Sequence, residues 1–162
     1  MTQSRITLAL AACLSLSLGS ALPAQQAAEP APDATTTPEA AGGFAPVPGD
    51  SVSLDDLVWK KRPVVVFADS PNDPAFIEQI RRLSERWPEL AARDVIVIAD
   101  TTPDPPSSVR LKLRPRGFSL VIIAKDGTVN LRKPAPWDAR EVIRSIDKMP
   151  IRREEVRNGA LR

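Results

Sequence analysis

Residues 63–100 read PVVVFADSPNDPAFIEQIRRLSERWPELAARDVIVIAD. Val64, Val65, Val66 and Phe67 are apolar at consecutive positions, the pattern of a strand covered on both faces, so residues 63–68 predict a buried parallel strand. Residues 69–72 form a turn. Asp73 is an N-cap, with Pro74 at the first helical position, where an N–H would lack a partner anyway. Phe76, Ile77, Ile80, Leu83 and Trp87 keep helical spacing, and Pro88 is expected to stop the helix. Val95, Ile96, Val97 and Ile98 repeat the double-sided pattern over residues 94–99. Strand, helix and strand in this order make a βαβ unit, whose crossover is expected to be right-handed.

Working outward, residues 100–108 are a proline-rich loop and residues 108–113 a short helix. Residues 118–123 and 128–131 flank Lys125, Asp126 and Gly127, where Asp-Gly signals a hairpin. Residues 137–148 are the last predicted helix, burying Val142, Ile143 and Ile146, with Met149 after it and Pro150 as its stop. On the other side, residues 53–59 are a helical turn capped by Ser53, with Asp56 three positions on. Residues 25–49 consist of Ala, Pro, Thr, Gln and Gly with Glu29, Asp33 and Glu39 and no base, a composition that cannot repay the entropy of ordering. They are expected to be a disordered acidic linker, in which Phe44 and Val47 either dock on the domain edge or stay solvated.

The leader reads as a secretory signal. Arg5 supplies the positive charge, residues 6–18 are apolar apart from Thr7, Ser15 and Ser17, and Gly19, Ser20 and Ala21 are small, so cleavage is expected after Ala21 or Ala24. The apolar run is shorter than the roughly 20 residues a spanning helix needs, so no transmembrane segment is expected in the mature protein. The rival reading is a lipobox, Leu10-Ala11-Ala12-Cys13. It would strand Leu14, Leu16 and Leu18 behind the acylated cysteine and leave only residues 6–10 as an apolar segment. The division expected is therefore a signal peptide at 1–24, the linker at 25–49, the domain at 50–157 and a tail at 158–162, in an exported protein that is periplasmic or secreted.

Cys13 is the only cysteine and histidine is absent. A protein cleaved after the leader has no thiol, which excludes Ser-His-Asp and Cys-His catalysis, thiol peroxidation, dithiol exchange and any zinc site of imidazole or thiolate. Carboxylates, hydroxyls, amides, lysine and arginine remain.

The order β-α-β, short helix, hairpin, closing helix is that of an α/β, thioredoxin-like three-layer sandwich: a βαβ unit followed by a β-hairpin and a C-terminal helix. Residues 51–70, SVSLDDLVWKKRPVVVFADS, resemble the entry to peroxiredoxin-type thioredoxin folds, and residues 113–129, LRPRGFSLVIIAKDGTV, are similar to the thioredoxin stretch leading into its hairpin. A closer resemblance is to an uncharacterised family of exported bacterial domains, a domain of unknown function also found in sushi-repeat and coiled-coil-domain extracellular matrix proteins. It rests on Trp59 and Lys60, Arg62 to Phe67, Arg93 and Asp94, Lys125 to Gly127, Leu131 and Arg132, Trp137, and the ending from Ile146 to Glu154. Ile151 stands where methionine is common and Ala124 where glycine is common. The resemblance implies a thioredoxin-like fold outside the cytoplasm and no established activity. The thiols of working thioredoxins would fall in the stretch Asp69, Ser70, Pro71, Asn72, Asp73, and their cis-proline at Phe118 or Ser119, so both halves of the redox site are missing.

Asp69 and Asp100 each follow a strand expected to be parallel, so both belong to the carboxyl edge of the sheet, where open α/β sheets bind ligands. With Asp73 or Asp104 they form the basis for a carboxylate enzyme, divalent-metal-dependent or not, although acids also cap turns. Ser70 and Asn72 begin a helix whose N–H groups suit an anion. Ser145 and Lys148 match S-x-x-K without its partner motifs, a chance match. Trp59, Trp87 and Trp137 border elements and are expected to close the core.

Charge is divided along the chain: residues 1–100 carry 8 basic and 13 acidic side chains, residues 101–162 carry 14 and 7. Arg110, Lys112, Arg114, Arg116, Arg152 and Arg153 are read either as a solubilising surface or as a patch for an anionic partner. The reading carried forward is a redox-inactive binding or accessory module of the cell envelope with no catalytic residue, metal or cofactor. Its ligand-facing candidates are Asp69, Ser70, Asn72, Asp73, Asp100, Arg114, Arg116, Arg152 and Arg153. Its partner is expected to be a protein, peptide or anionic polymer, and no nucleic acid.

Overall fold

The two double-sided apolar runs form neighbouring parallel strands at the middle of the domain. In the computed structural model, which describes residues 43–159, β2 (Arg62–Phe67) pairs in parallel with β3 (Val95–Asp100), from Arg62 opposite Val95 to Phe67 opposite Asp100. β4 (Ser119–Ile123) lies antiparallel on the other side of β2, and β5 (Val129–Lys133) antiparallel on β4. With β1 (Val47–Pro48) parallel on β3, the sheet has five strands in the order β1-β3-β2-β4-β5. The stretch read as a signal peptide with Cys13, residues 25–42 of the expected linker, and residues 160–162 of the expected tail lie outside the described residues.

Pleating sends alternate residues of the central strands to opposite faces. Val64, Val66, Val95, Val97, Leu120 and Ile122 pack with Ile80 and Leu83 of α1 (Pro74–Glu85), Leu90 of α2 (Trp87–Ala91), and Val142 and Ile146 of α4 (Ala139–Asp147). Val65, Phe67, Ile98, Val121 and Ile123 face the other way, onto Val109 and Leu113 of α3 (Ser108–Leu113) and onto Leu54. Helices thus cover both faces of the sheet, the expected three layers. Asp73 caps α1, its carboxylate accepting from the Ala75 N–H at 2.8 Å, and Gly127 takes the positive φ (83°) that the turn between β4 and β5 requires.

The fold differs from the sequence reading at five places. First, β1 lies inside the stretch read as linker: Val47 pairs with Ile98, the Gly49 N–H donates to the Ala99 carbonyl at 2.9 Å, and Phe44 is 7% exposed, its ring edge-on to Trp87 at 5.3 Å. The domain therefore begins before Asp50. Second, Pro88 does not end a helix that includes Trp87. α1 gives out at Arg86, and Pro88 lies in the first turn of α2, where its missing N–H is tolerated. Third, Pro150 stops α4 but opens a further helix, α5 (Pro150–Arg157). Fourth, Ser53 caps nothing: residues Asp55–Leu57 make a single 3₁₀ turn without a side-chain cap. Fifth, Trp59 does not close the core. Its φ of 63° turns the chain ahead of β2 and leaves the residue 65% exposed, whereas Trp87 and Trp137 do pack against the core.

Candidate functional site

The carboxyl edge of β2 and β3 holds the residues that sequence reasoning favoured, but an arginine links them. Asp100 ends β3 and is buried, with Ser107 donating its hydroxyl to Oδ2. Ser107 caps α3 by accepting from the Arg110 N–H at 3.0 Å, which fixes the first turn of that helix over the edge. From there the Arg110 side chain turns inward: Nε donates to Asp100 Oδ1 at 3.0 Å, and Nη2 donates to the Ala68 and Asp100 carbonyls at 2.7 and 3.0 Å. The guanidinium also lies 5.4 Å from the centre of the Phe67 ring and 3.6 Å from Asp69 Oδ1. A Cβ at Gly49 would come within 2.9 Å of Asp100, so the glycine lets the chain close over this carboxylate.

Two expectations change. Asp100 is not a ligand-facing acid, because its two oxygens are engaged by Ser107 and Arg110. Arg110 is likewise a buried partner of Asp100 and not part of an exposed basic stripe. Asp69 is exposed, Ser70 and Asn72 close a turn in which the Asn72 N–H donates to Ser70 Oγ at 3.2 Å, and Asp73 is engaged as a cap. Among the described residues no group of three or more carboxylates gathers in a way that could hold a metal ion.

The candidate arginines fall into two groups. Arg114 ends α3 in the left-handed region (φ 48°) and, with Arg116, is exposed on the loop that leads to Gly117, where a Cβ would lie 3.9 Å from Asp69. Arg152 and Arg153 belong to α5, which joins the amino end of the parallel strands. Arg152, read as surface, is 8% exposed; Arg153 is exposed.

That amino end carries a charge network the sequence reading missed. Arg62, the first residue of β2, is fully buried, with Nη1 donating to the Arg93 carbonyl at 2.7 Å and Nη2 to Glu155 Oε2 at 2.5 Å. Lys125, just after β4, bridges Asp94 and Glu155 at 2.8 and 2.9 Å. Arg93 makes a two-pronged pair with Asp147 at 2.7 and 3.0 Å. Arg152 has Asp147 and Glu155 each at 3.7 Å, beyond hydrogen-bonding range, and its Nε and Nη1 are buried without a partner. The partners lie up to 93 residues apart, so only the fold brings them together.

Asp94, Lys125 and Glu155 hold their charges firmly. Burial pushes the Asp94 and Glu155 carboxyls up, but the Lys125 ammonium hydrogen-bonded to both, with Arg62 beside them, outweighs it and holds each below its ordinary value. Burial pushes Lys125 down, and its two carboxylate partners hold it above its ordinary value instead. Groups displaced away from neutrality do not exchange protons there, so the network suits recognition and cohesion better than acid–base chemistry. Beside it an open cavity of about 490 Å³ is lined by Arg93, Asp147, Arg152, Arg153, Val156 and Arg157.

Residues 53–155 match the family model described as "Domain of unknown function (DUF4174)". Among solved structures, the chain is similar to the reduced 2-Cys peroxiredoxin of Plasmodium vivax, with a TM-score of 0.53 and 15% identity over 68% of this chain and 91% of that one. It is also similar to Plasmodium yoelii Prx1a modified at the N-terminus, with a TM-score of 0.50 and 16% identity over 70% and 87%. At these identities the likeness establishes the thioredoxin-like fold alone.

Proposed function

The chain belongs to the family described as "Domain of unknown function (DUF4174)", and from that premise we propose that it is an exported, redox-inactive thioredoxin-like module that binds a partner in the cell envelope. The observation that carries this reading is the chemistry of the carboxyl edge. Where the resemblance to thioredoxins places a thiol, the chain has Asp69 to Asp73, backed by the buried Asp100–Arg110 pair. The thiolate is the nucleophile of disulfide exchange and peroxide reduction, and this edge offers none. The leader supports export, and the excess of basic side chains beyond residue 100 supports a protein, peptide or polymer of negative charge as the partner.

The test is turnover. The purified domain, assayed metal-free with a coupled reductant, is expected neither to reduce insulin disulfides nor to consume peroxide above a buffer control. Turnover that follows protein concentration would overturn the proposal.

A further inference from the structure

We propose that Arg152, Arg153 and Arg157 of α5, beside the Arg93–Asp147 pair, form a binding site for a tetrahedral oxyanion, a phosphate or sulfate group carried by the partner of the module. The inference rests on the binding-module reading and names the chemistry that the module recognises. Its site is at the end of the sheet opposite to the one thioredoxin-like enzymes use.

The residues lining the cavity beside α5 include Arg93, Arg152, Arg153 and Arg157, with Asp147 as the one residue bearing a carboxylate. That carboxylate is already held by both prongs of Arg93. The neighbouring Glu155 is spoken for by Arg62 and Lys125, and Glu154 reaches Arg157 only at 3.7 Å. Arg153 makes no ion pair among the described residues. Positive charge at this cavity therefore exceeds what the surrounding acids neutralise.

Arg152 supplies the second observation. Its side chain is 10% exposed, yet Nε and Nη1 have no hydrogen-bond acceptor. A buried cationic donor without an acceptor is a costly arrangement that native proteins usually avoid. Turning the guanidinium toward the cavity that Arg152 borders would give up two ion pairs at 3.7 Å and would present its donors to an incoming oxyanion. Several arginines converging on one anion favour phosphate or sulfate, whose several oxygens accept from several forks at once. Val156, 58% exposed at the same cavity, offers an apolar edge for the rest of the ligand.

The experiment titrates the full chain at low ionic strength with inorganic phosphate, inorganic sulfate and a short sulfated oligosaccharide, following amide chemical shifts and the thermal midpoint. Saturable binding is expected, with shifts concentrated in α5 and around Arg93; the arm that binds tightest distinguishes a free anion from a polymer-borne one. Replacing both exposed arginines, Arg153→Gln with Arg157→Gln, is expected to weaken binding by about tenfold or more, the equivalent of roughly 1.4 kcal/mol, without lowering the ligand-free midpoint. Arg152→Lys, which keeps the charge and loses the fork, is expected to weaken it as well. Arg114→Gln with Arg116→Gln, on the other loop, leaves it unchanged. The site is refuted if no arm saturates, or if the α5 variant binds as well as the parent, or if the loop variant loses as much. Those outcomes leave the binding module standing, because it falls only on turnover in the thiol assays.

Discussion

Replacing Phe44 with alanine tests whether the domain begins where its composition changes or where its core does. Phe44 is 7% exposed within the larger core cluster and meets Trp87 edge-on, with ring centres 5.3 Å apart and planes at 70°. Truncating a buried phenylalanine to alanine costs about 3–5 kcal/mol, and an edge-on aromatic pair contributes roughly 0.5–1.5 kcal/mol of that class of loss. Phe44 precedes the two-residue β1, whose short pairing with β3 leaves the backbone room to relax toward the void, so the lower end, about 3 kcal/mol, is expected. At about 4 °C per kcal/mol for a domain of this size, the thermal midpoint should fall by about 12 °C. Tryptophan fluorescence during urea unfolding is the assay, with Trp87 in contact with Phe44 and Trp137 packed on the same core among its reporters. Chains beginning at Gly43 and at Asp50 should differ in the same direction. The loss there includes the β1–β3 pairing as well as the Phe44 contacts, set against the entropy of ordering the segment. A Phe44→Ala loss below about 1 kcal/mol would refute the reasoning and return residues 43–49 to the linker.

Stability should also respond to pH through the amino-end network. The Asp94 and Glu155 carboxyls lie below their ordinary 3.8 and 4.5, so their contribution is fully present above those values and is lost as pH falls through the lowered ones. Lys125 lies above its ordinary 10.5, so its contribution holds below that value and is lost as pH rises through the raised one. Urea midpoints measured across acid pH should fall less steeply for Lys125→Met than for the parent, and equal slopes would sink the assignment. Gln79, fully buried in α1, donates to the Trp137 carbonyl at 3.2 Å and accepts from the Trp137 N–H at 2.7 Å. Gln79→Leu orphans both groups and should cost at least about 1–3 kcal/mol by chemical denaturation; a smaller loss would mean that water replaces the amide.

What was legible in the sequence was what local physics determines. Consecutive β-branched residues in β2 and β3, the Asp73-Pro74 cap and the Asp126-Gly127 turn each carry their structural reason within a few positions, and each appears as read. β1 was not legible because a two-residue strand in an Ala/Pro-rich stretch has no period, and its reason to order lies with Ile98 and Trp87, far along the chain. α5 was missed for a related reason. Its residues PIRREEVR show no apolar stripe, and what attaches it is the pairing of Glu155 with Arg62 and Lys125. A charge pattern read along the chain does not distinguish Arg110 and Arg152, which are buried, from Arg114 and Arg153, which are exposed.

By analogy with open α/β sheets, ligands belong at the carboxyl ends of the strands, which directed attention to Asp69 and Asp100. Hydrogen-bond accounting reverses the direction. At the carboxyl edge Asp100, Ser107 and Arg110 satisfy one another, and no buried side-chain nitrogen or oxygen of the described residues there lacks a partner. Among the described residues, the buried side-chain atoms left without one are Arg62 Nε and Arg152 Nε and Nη1, all at the amino end. A scaffold that satisfies its buried side chains at the carboxyl edge, and leaves cationic donors unpaired at the amino end, has its unmet hydrogen-bonding demand beside α5.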